Sequence, residues 1–295
     1  YHNLKGDKLS ASIKIHDNLV SVDKVQMMVE DNGSLNGRFF IHLPSGKPSA
    51  IRASFQAKDI PFDKLLILVG DEQRSISGNL TMQGMVQGHG RHAGGVIPSL
   101  NGNLEATLRQ GYVHRGTVLP RILSLLNLPH VLRGKEDFET KGFPFKKVTS
   151  TIKIENGEFS SKDFYLNSSI MKITAAGSYS LDRDYLDAVA AVSPFGAYSD
   201  LLKKVPLFGR IFAGDRKGIA TAMFSLSGPL GEPKVTYLPA ESFKTGIGGL
   251  AQLAFDILKN TITMPYDLLN GTPDESSSPE SSSEGTTAVP VPETK

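Results

Sequence analysis

Apolar and polar residues alternate along most of this chain, and short turns rich in Asn, Gly, Pro and Asp interrupt the alternation at intervals. The clearest run is 171–181. Met171, Ile173, Ala175, Tyr179 and Leu181 fall on one side of an extended strand there, while Lys172, Thr174, Ser178 and Ser180 fall on the other. Just upstream, Ile152 and Ile154 alternate with Lys153 and Glu155 before Asn156-Gly157 turns the chain. At the start, Leu9, Ala11, Ile13 and Ile15 alternate with Ser10, Ser12, Lys14 and His16 before Asp17-Asn18. The same pattern predicts strands over 19–29, 38–43, 51–57, 77–87, 100–110, 148–154 and 218–227. The last of these pairs with 234–238. Asn32-Gly33 reads as a turn, Asn36-Gly37 as the opening of the 38–43 strand, and Pro44-Ser45-Gly46 as its end.

Such strands build a sheet that is wet on one face and apolar on the other. The predicted architecture is mainly β: a curved antiparallel sheet forming a groove or taco-like trough, with a few short amphipathic helices. A loose repeat supports it. Residues 18–21 followed by 24–27 resemble 157–160 followed by 163–166, and each copy leads through a glycine, Gly37 or Gly177, into another alternating strand.

Three segments carry a helical period instead. Residues 118–128 place Val118, Ile122, Leu125 and Leu126 on one side, between a Thr117 cap and a Pro129 stop. Residues 198–212 form a short amphipathic stretch, and 249–262 bring Leu250, Leu253, Ala254, Ile257 and Leu258 together. These helices suit lids at the mouth of a trough or a membrane surface; the plainer expectation is that they face the core. From Gly271 the composition turns to Ser, Glu, Pro and Thr, which predicts a disordered acidic tail over 271–295. The organisation is thus 1–99 for the first strands of the groove, 100–240 for its second part, 241–270 for an amphipathic helix, and 271–295 for the tail.

The chain has 295 residues, enough for a sizeable core, and 39% of them are hydrophobic. Lys and Arg number 32 against 30 Asp and Glu, a net charge of +2 that argues against a nucleic-acid partner. No cysteine is present, which removes disulfides, thiol nucleophiles and Cys-ligated zinc. No apolar run reaches the length of a membrane-spanning helix and residues 1–30 do not read as a signal peptide, so any anchor or export signal is expected upstream.

Little in the chain invites catalysis. Residues 88–95, GHGRHAGG, hold His89 and His92 among glycines, but a third metal ligand is missing and the spacing is not that of a phosphate loop; a loop between strands is expected. Asp182, Asp184 and Asp187 do not follow the calcium-loop pattern and read as turn carboxylates. There is no Gly-x-Ser-x-Gly elbow. Asn79-Leu80-Thr81 and Asn167-Ser168-Ser169 fit the glycosylation sequon, which arises easily by chance. No enzyme, cofactor or metal is expected.

An ordered series of segments over about half the chain resembles the C-terminal region of the AsmA-like family of bacterial envelope proteins. They are LEATLRQG (104–111), LPRILSLLNL (119–128), IENG (154–157), GSYSL (177–181) with Leu186-Asp187, VPLFG (205–209) and GPLGEPKV (228–235). The resemblance implies the C-terminal segment of a large periplasm-spanning protein, anchored in the inner membrane upstream and meeting the outer membrane at this end. It implies a repeating β-groove with an apolar interior, associated with moving phospholipid and with outer-membrane integrity, and no catalytic motif. The residues expected to face acyl chains are Leu9, Ala11, Ile13, Ile15, Ile152, Ile154, Met171, Ile173, Ala175 and Tyr179. The alternative is a non-enzymatic assembly module that binds envelope proteins through an exposed edge strand.

Overall fold

The computed structural model describes residues 6–29, 32–68, 75–114, 118–125, 142–194 and 222–238. The expected helices over 198–212 and 249–262 lie outside them, as do Leu126, Leu250, Leu253, Ile257, Leu258 and the tail over 271–295. All the described residues belong to one compact unit, Tyr1–Ile262.

Among the described residues that unit is a single sheet of twelve strands in which every strand pairs with its neighbours in sequence. All pairings are antiparallel. The strands are β1 Gly6–His16, β2 Leu19–Val29, β3 Gly33–His42, β4 Ser49–Pro61, β5 Asn79–Gly90 and β6 Asn101–Val113. They continue as β7 Phe143–Glu155, β8 Glu158–Asn167, β9 Met171–Ser180, β10 Tyr185–Pro194, β11 Ala222–Gly228 and β12 Lys234–Leu238. Pairing runs unbroken across residue 100, where β5 and β6 share nine residue pairs. Asn36 and Gly37 lie inside β3 and do not open a strand, because the chain is already paired from Gly33.

Helices occupy the connections. α1, Phe62–Leu68, follows β4; α2, Ala93–Val96, runs into the 3₁₀ turn Ile97–Ser99 after β5; α3, Val118–Leu125, follows β6. The main core gathers Leu80 of β5, Leu108 of β6, Phe143 and Phe145 of β7, Leu166 of β8, Ile173 of β9, Val192 of β10 and Phe224 of β11 around Leu119 and Ile122 of α3. α3 also packs on β12, and the Arg121 guanidinium donates to the carbonyl oxygen of Pro233. In a flat sheet, six strand spacings would hold β12 ~29 Å from β6, the strand from which α3 departs. An eight-residue helix is only ~12 Å long. That one short helix shares a core with β5 to β11 and packs on β12 fits a sheet that curls around it.

Strict alternation alone would not keep one face apolar, because the apolar residues change parity within several strands. In β2, Val20 and Val22 are followed by Val25, Met27 and Val29; in β8, Phe159 is followed by Phe164 and Leu166. The pairing register shifts at these places, between Val22 and Val25 and between Ser161 and Phe164. An extra residue in each strand returns the following apolar positions to the same face. β4 shifts between Ala57 and Ile60. Lys24 and Asp59 mark two of these bulges with φ of 55° and 51°, and Gln110 of β6 has φ 51° between Leu108 and Val113, both of which belong to the core. The repeat in the sequence is therefore a bulged strand used twice, in β2 and in β8.

Strands β9 to β11 are buried on both faces. Ile173, Ala188, Ala190, Val192 and Phe224 face the main core, while Ala176, Val189, Ala191 and Met223 form a second cluster on the reverse. Small residues there let the strands sit close. A Cβ on Gly177 would collide with the Cβ of Ala188 and the carbonyl oxygen of Asp187. Gly177→Ala is expected to cost about 1–3 kcal/mol in urea unfolding. Gly231→Ala, where a Cβ meets nothing within 4 Å, should stay within about 0.5 kcal/mol.

Candidate functional site

Directly paired residues of an antiparallel sheet share a face, so the register defines rows of side chains that run across the strands. One such row is Ile13, Val22, Phe39, Ala53, Val86, Gly102, Ile154, Phe159, Tyr179 and Leu186, ending at Gly228. It crosses β1 to β11, and its only polar group is the Tyr179 hydroxyl. The neighbouring row, Ile15, Val20, Ile41, Ile51 and Gly88, is equally apolar. The row on the reverse face reads Lys14, Ser21, Phe40, Arg52, Gln87 and Asn101.

Along the apolar row, exposure is 64% at Ile13, 36% at Phe39 and 2% at Ile154, and the remaining members, Phe159, Tyr179 and Leu186 included, are half-buried. The chemistry of the face is constant; what changes is how much protein covers it. Towards β12 the cover is α3, with Ile122 at 2% exposure, joined by Phe62 and Leu65 of α1 against the same core. At the other end of the strands the segment after β5 folds back. Its Leu100 carbonyl accepts from Gly157 N–H at 2.9 Å, and Asn101 Oδ1 accepts from Asn156 N–H at 3.2 Å. Asn156 and Gly157 both have positive φ, 50° and 77°, the geometry a tight hairpin needs. Over β1 to β4 the apolar face is half-buried or open.

The expected acyl-facing residues accordingly divide. Leu9, Ala11, Ile13 and Ile15 of β1 are exposed. Ile152 is half-buried, and Ala175 is half-buried against the main core. Ile154, Met171 and Ile173 are buried. Met171 and Ile173 sit in the core with α3. Tyr179 is half-buried and donates its hydroxyl to Asp184 at 3.0 Å; burial first, then that hydrogen bond and the carboxylate charge, push its phenol up. Burial likewise raises the Tyr165 phenol and lowers Lys172 on the reverse face. Of the expected lid residues, Ile122 faces the sheet and Leu125 ends α3.

The histidines of the glycine-rich segment do not form a pair of ligands. His89 lies in β5, its backbone tied to Ser99 Oγ, which accepts from His89 N–H at 2.7 Å and lies 2.6 Å from its carbonyl. His92 caps α2 through Nδ1, which accepts from Gly95 N–H at 3.1 Å. Among the described residues no group of three or more His, Asp or Glu is placed to hold a metal. Asp182 and Asp184 lie in the β9–β10 turn, whereas Asp187 lies in β10, paired with Ser178 and Ser227 on the reverse face. That last position corrects the expectation of a turn, because the strand has already begun at Tyr185.

If the open and covered parts of the face differ only in cover, truncation separates them. Ile122→Ala should cost about 2–5 kcal/mol in denaturant unfolding. Ile13→Ala should fall within about 0.5 kcal/mol of the parent.

No curated protein and no solved structure significantly matches the chain. The family model described as YhdP protein matches residues 45–235, from the turn after β3 into β12. That span takes in most of the curled sheet, both covers and the greater part of the apolar rows, so the chain belongs to the YhdP family, within the AsmA-like group.

Proposed function

We propose that this chain is a segment of a bridge-like phospholipid carrier in the bacterial cell envelope. In this reading the apolar face of β1 to β5 shields acyl chains, and the part covered by α1 and α3 closes the conduit at this end. The observation that carries it is the row from Ile13 to Gly228, apolar but for the Tyr179 hydroxyl, buried at Ile154 and most open at Ile13 in β1. Four strand spacings, ~19 Å, separate β1 from β5. Each methylene moved from water onto such a wall gains about 0.8 kcal/mol. A lipid is then held by many weak contacts, which suits passage more than storage.

Membership of the YhdP family supports the envelope setting, and the AsmA-like resemblance supports a periplasmic position, with an inner-membrane anchor upstream and the outer membrane at this end. Among the described residues no helix is long and apolar enough to cross a membrane. The activity is non-enzymatic, without cofactor or metal.

A second reading is favoured by one feature. β1 is a terminal strand of the sheet, pairing only with β2 among the described residues, and it displays Leu9, Ile13 and Ile15. Where no other part of the protein pairs with it, such an edge recruits a strand from a protein partner. On this reading the chain assembles with envelope proteins and carries no lipid.

Lipid extraction and native mass spectrometry of the purified chain should recover phospholipid. The double variant Ile13→Asp, Phe39→Asp should lose most of it, while Lys14→Asp, Ser21→Asp on the reverse face should retain it. Equal loss in both, or a lipid-free parent that crosslinks to a protein through β1, would give the second reading precedence.

A further inference from the structure

The reverse, polar face of β3 to β5 contains a hollow of about 490 Å³ near the ends of the strands. Its floor is Ala50. The register places His42 of β3 on one side of that small residue and His89 of β5 on the other. Two strand spacings set the two imidazoles' backbones ~10 Å apart. One step along β4, on the same face, stands Arg52, directly flanked by Phe40 and Gln87. Among the described residues no acidic one lines the hollow. Among the described residues no hydrogen bond or ion pair engages the side chains of His42, Arg52, Gln87 or His89.

We propose that this hollow binds a phosphate-bearing anion. The planar fork of N–H donors of an arginine matches a carboxylate or a phosphate. Here the nearest paired positions on both neighbouring strands offer an aromatic ring and an amide, so the fork is left for a ligand. Each imidazole carries at least one N–H donor in either tautomer, and the Gln87 amide adds two more. These donors line a space whose volume lies within the range of small-ligand sites. Ser99 keeps one wall in place by bracketing the backbone of His89. The inference does not depend on the acyl-chain reading, which concerns the opposite face. The chemistry fits equally a phospholipid headgroup and a free phosphate.

The test titrates the 295-residue chain separately with inorganic phosphate and with glycerol 3-phosphate, following the imidazole resonances of His42 and His89 by NMR. Co-sedimentation with phosphatidylcholine vesicles, with and without phosphatidylglycerol, forms the lipid arm. At least one phosphate probe should bind and move both imidazoles. Arg52→Gln should weaken binding about tenfold or more, from the loss of a charged donor, and Arg52→Lys should fall between. Arg109→Gln, on the same face of β6 outside the hollow, should leave binding unchanged. Preference for glycerol 3-phosphate and anionic vesicles assigns the site to a headgroup; equal binding of inorganic phosphate assigns it to the free anion. Absence of binding by every probe, or equal weakening by Arg52→Gln and Arg109→Gln, overturns the proposal.

Discussion

The structure depends on cross-strand register. Among the described residues each strand pairs only with its neighbours in sequence, so the face of every side chain is tied to the next through eleven successive pairings. A slip of one residue at any strand would send its aliphatic side chains to the polar face. The bulges are therefore part of the specification. Without the extra residue near Lys24, either Val20 and Val22 or Val25, Met27 and Val29 would point among Lys14, Ser21 and Arg52. Lys24 and Asp59 adopt a positive φ that costs a non-glycine residue something of order 1 kcal/mol. Keeping two or three aliphatic side chains on the apolar face outweighs that cost wherever the face is buried.

Given a continuous apolar face, local cover decides what each part of it does. Around α3, residues from eight strands close on Leu119 and Ile122, and this part behaves as an ordinary core. A smaller cluster, Val29, Ala57 and Ile60 with Leu65, reaches back under α1 to β2. Beyond it the same chemistry continues into β1 with nothing described above it. An exposed run of this kind costs stability unless a ligand or another surface occupies it. The transition from core to open wall within one sheet is what the functional reading rests on.

The strands were legible in the sequence because one-sided burial writes a period of two into them. Eight predicted strands overlap observed ones, and the 218–227 to 234–238 pairing recurs as β11 and β12. Where burial is two-sided the signal vanishes. YLDAVAAVSP in β10 is almost uniformly apolar because Ala188 and Ala190 face one cluster and Val189 and Ala191 the other. The bulges were legible only as a loose repeat, since a period of two cannot announce its own interruption. α1, seven residues long, is too short for a helical period to stand out beside Pro61. Least legible was which members of the apolar face are covered. Ile13 and Ile154 sit in nearly identical local patterns, Ser-Ile-Lys and Lys-Ile-Glu, yet they occupy opposite ends of the exposure range. That difference lies in what covers the strands, as where the segment after β5 meets the Asn156-Gly157 turn next to Ile154, not in the strands themselves.

The reverse face follows from the same constraint. Once Val22, Phe39, Ala53 and Val86 are committed to the apolar side, the alternate positions must carry groups that tolerate water, and the register brings His42, Arg52, Gln87 and His89 together as a by-product. A by-product of alternation alone would also bring carboxylates, as it does at Gln83 and Glu105 two pleat repeats away, where the amide donates to the acid at 2.8 Å. The hollow beside Ala50 has donors with no such acceptor among them. The sheet thus presents an apolar wall and an uncompensated set of donors on opposite sides of the same strands, and any change in register that disturbed one would disturb the other.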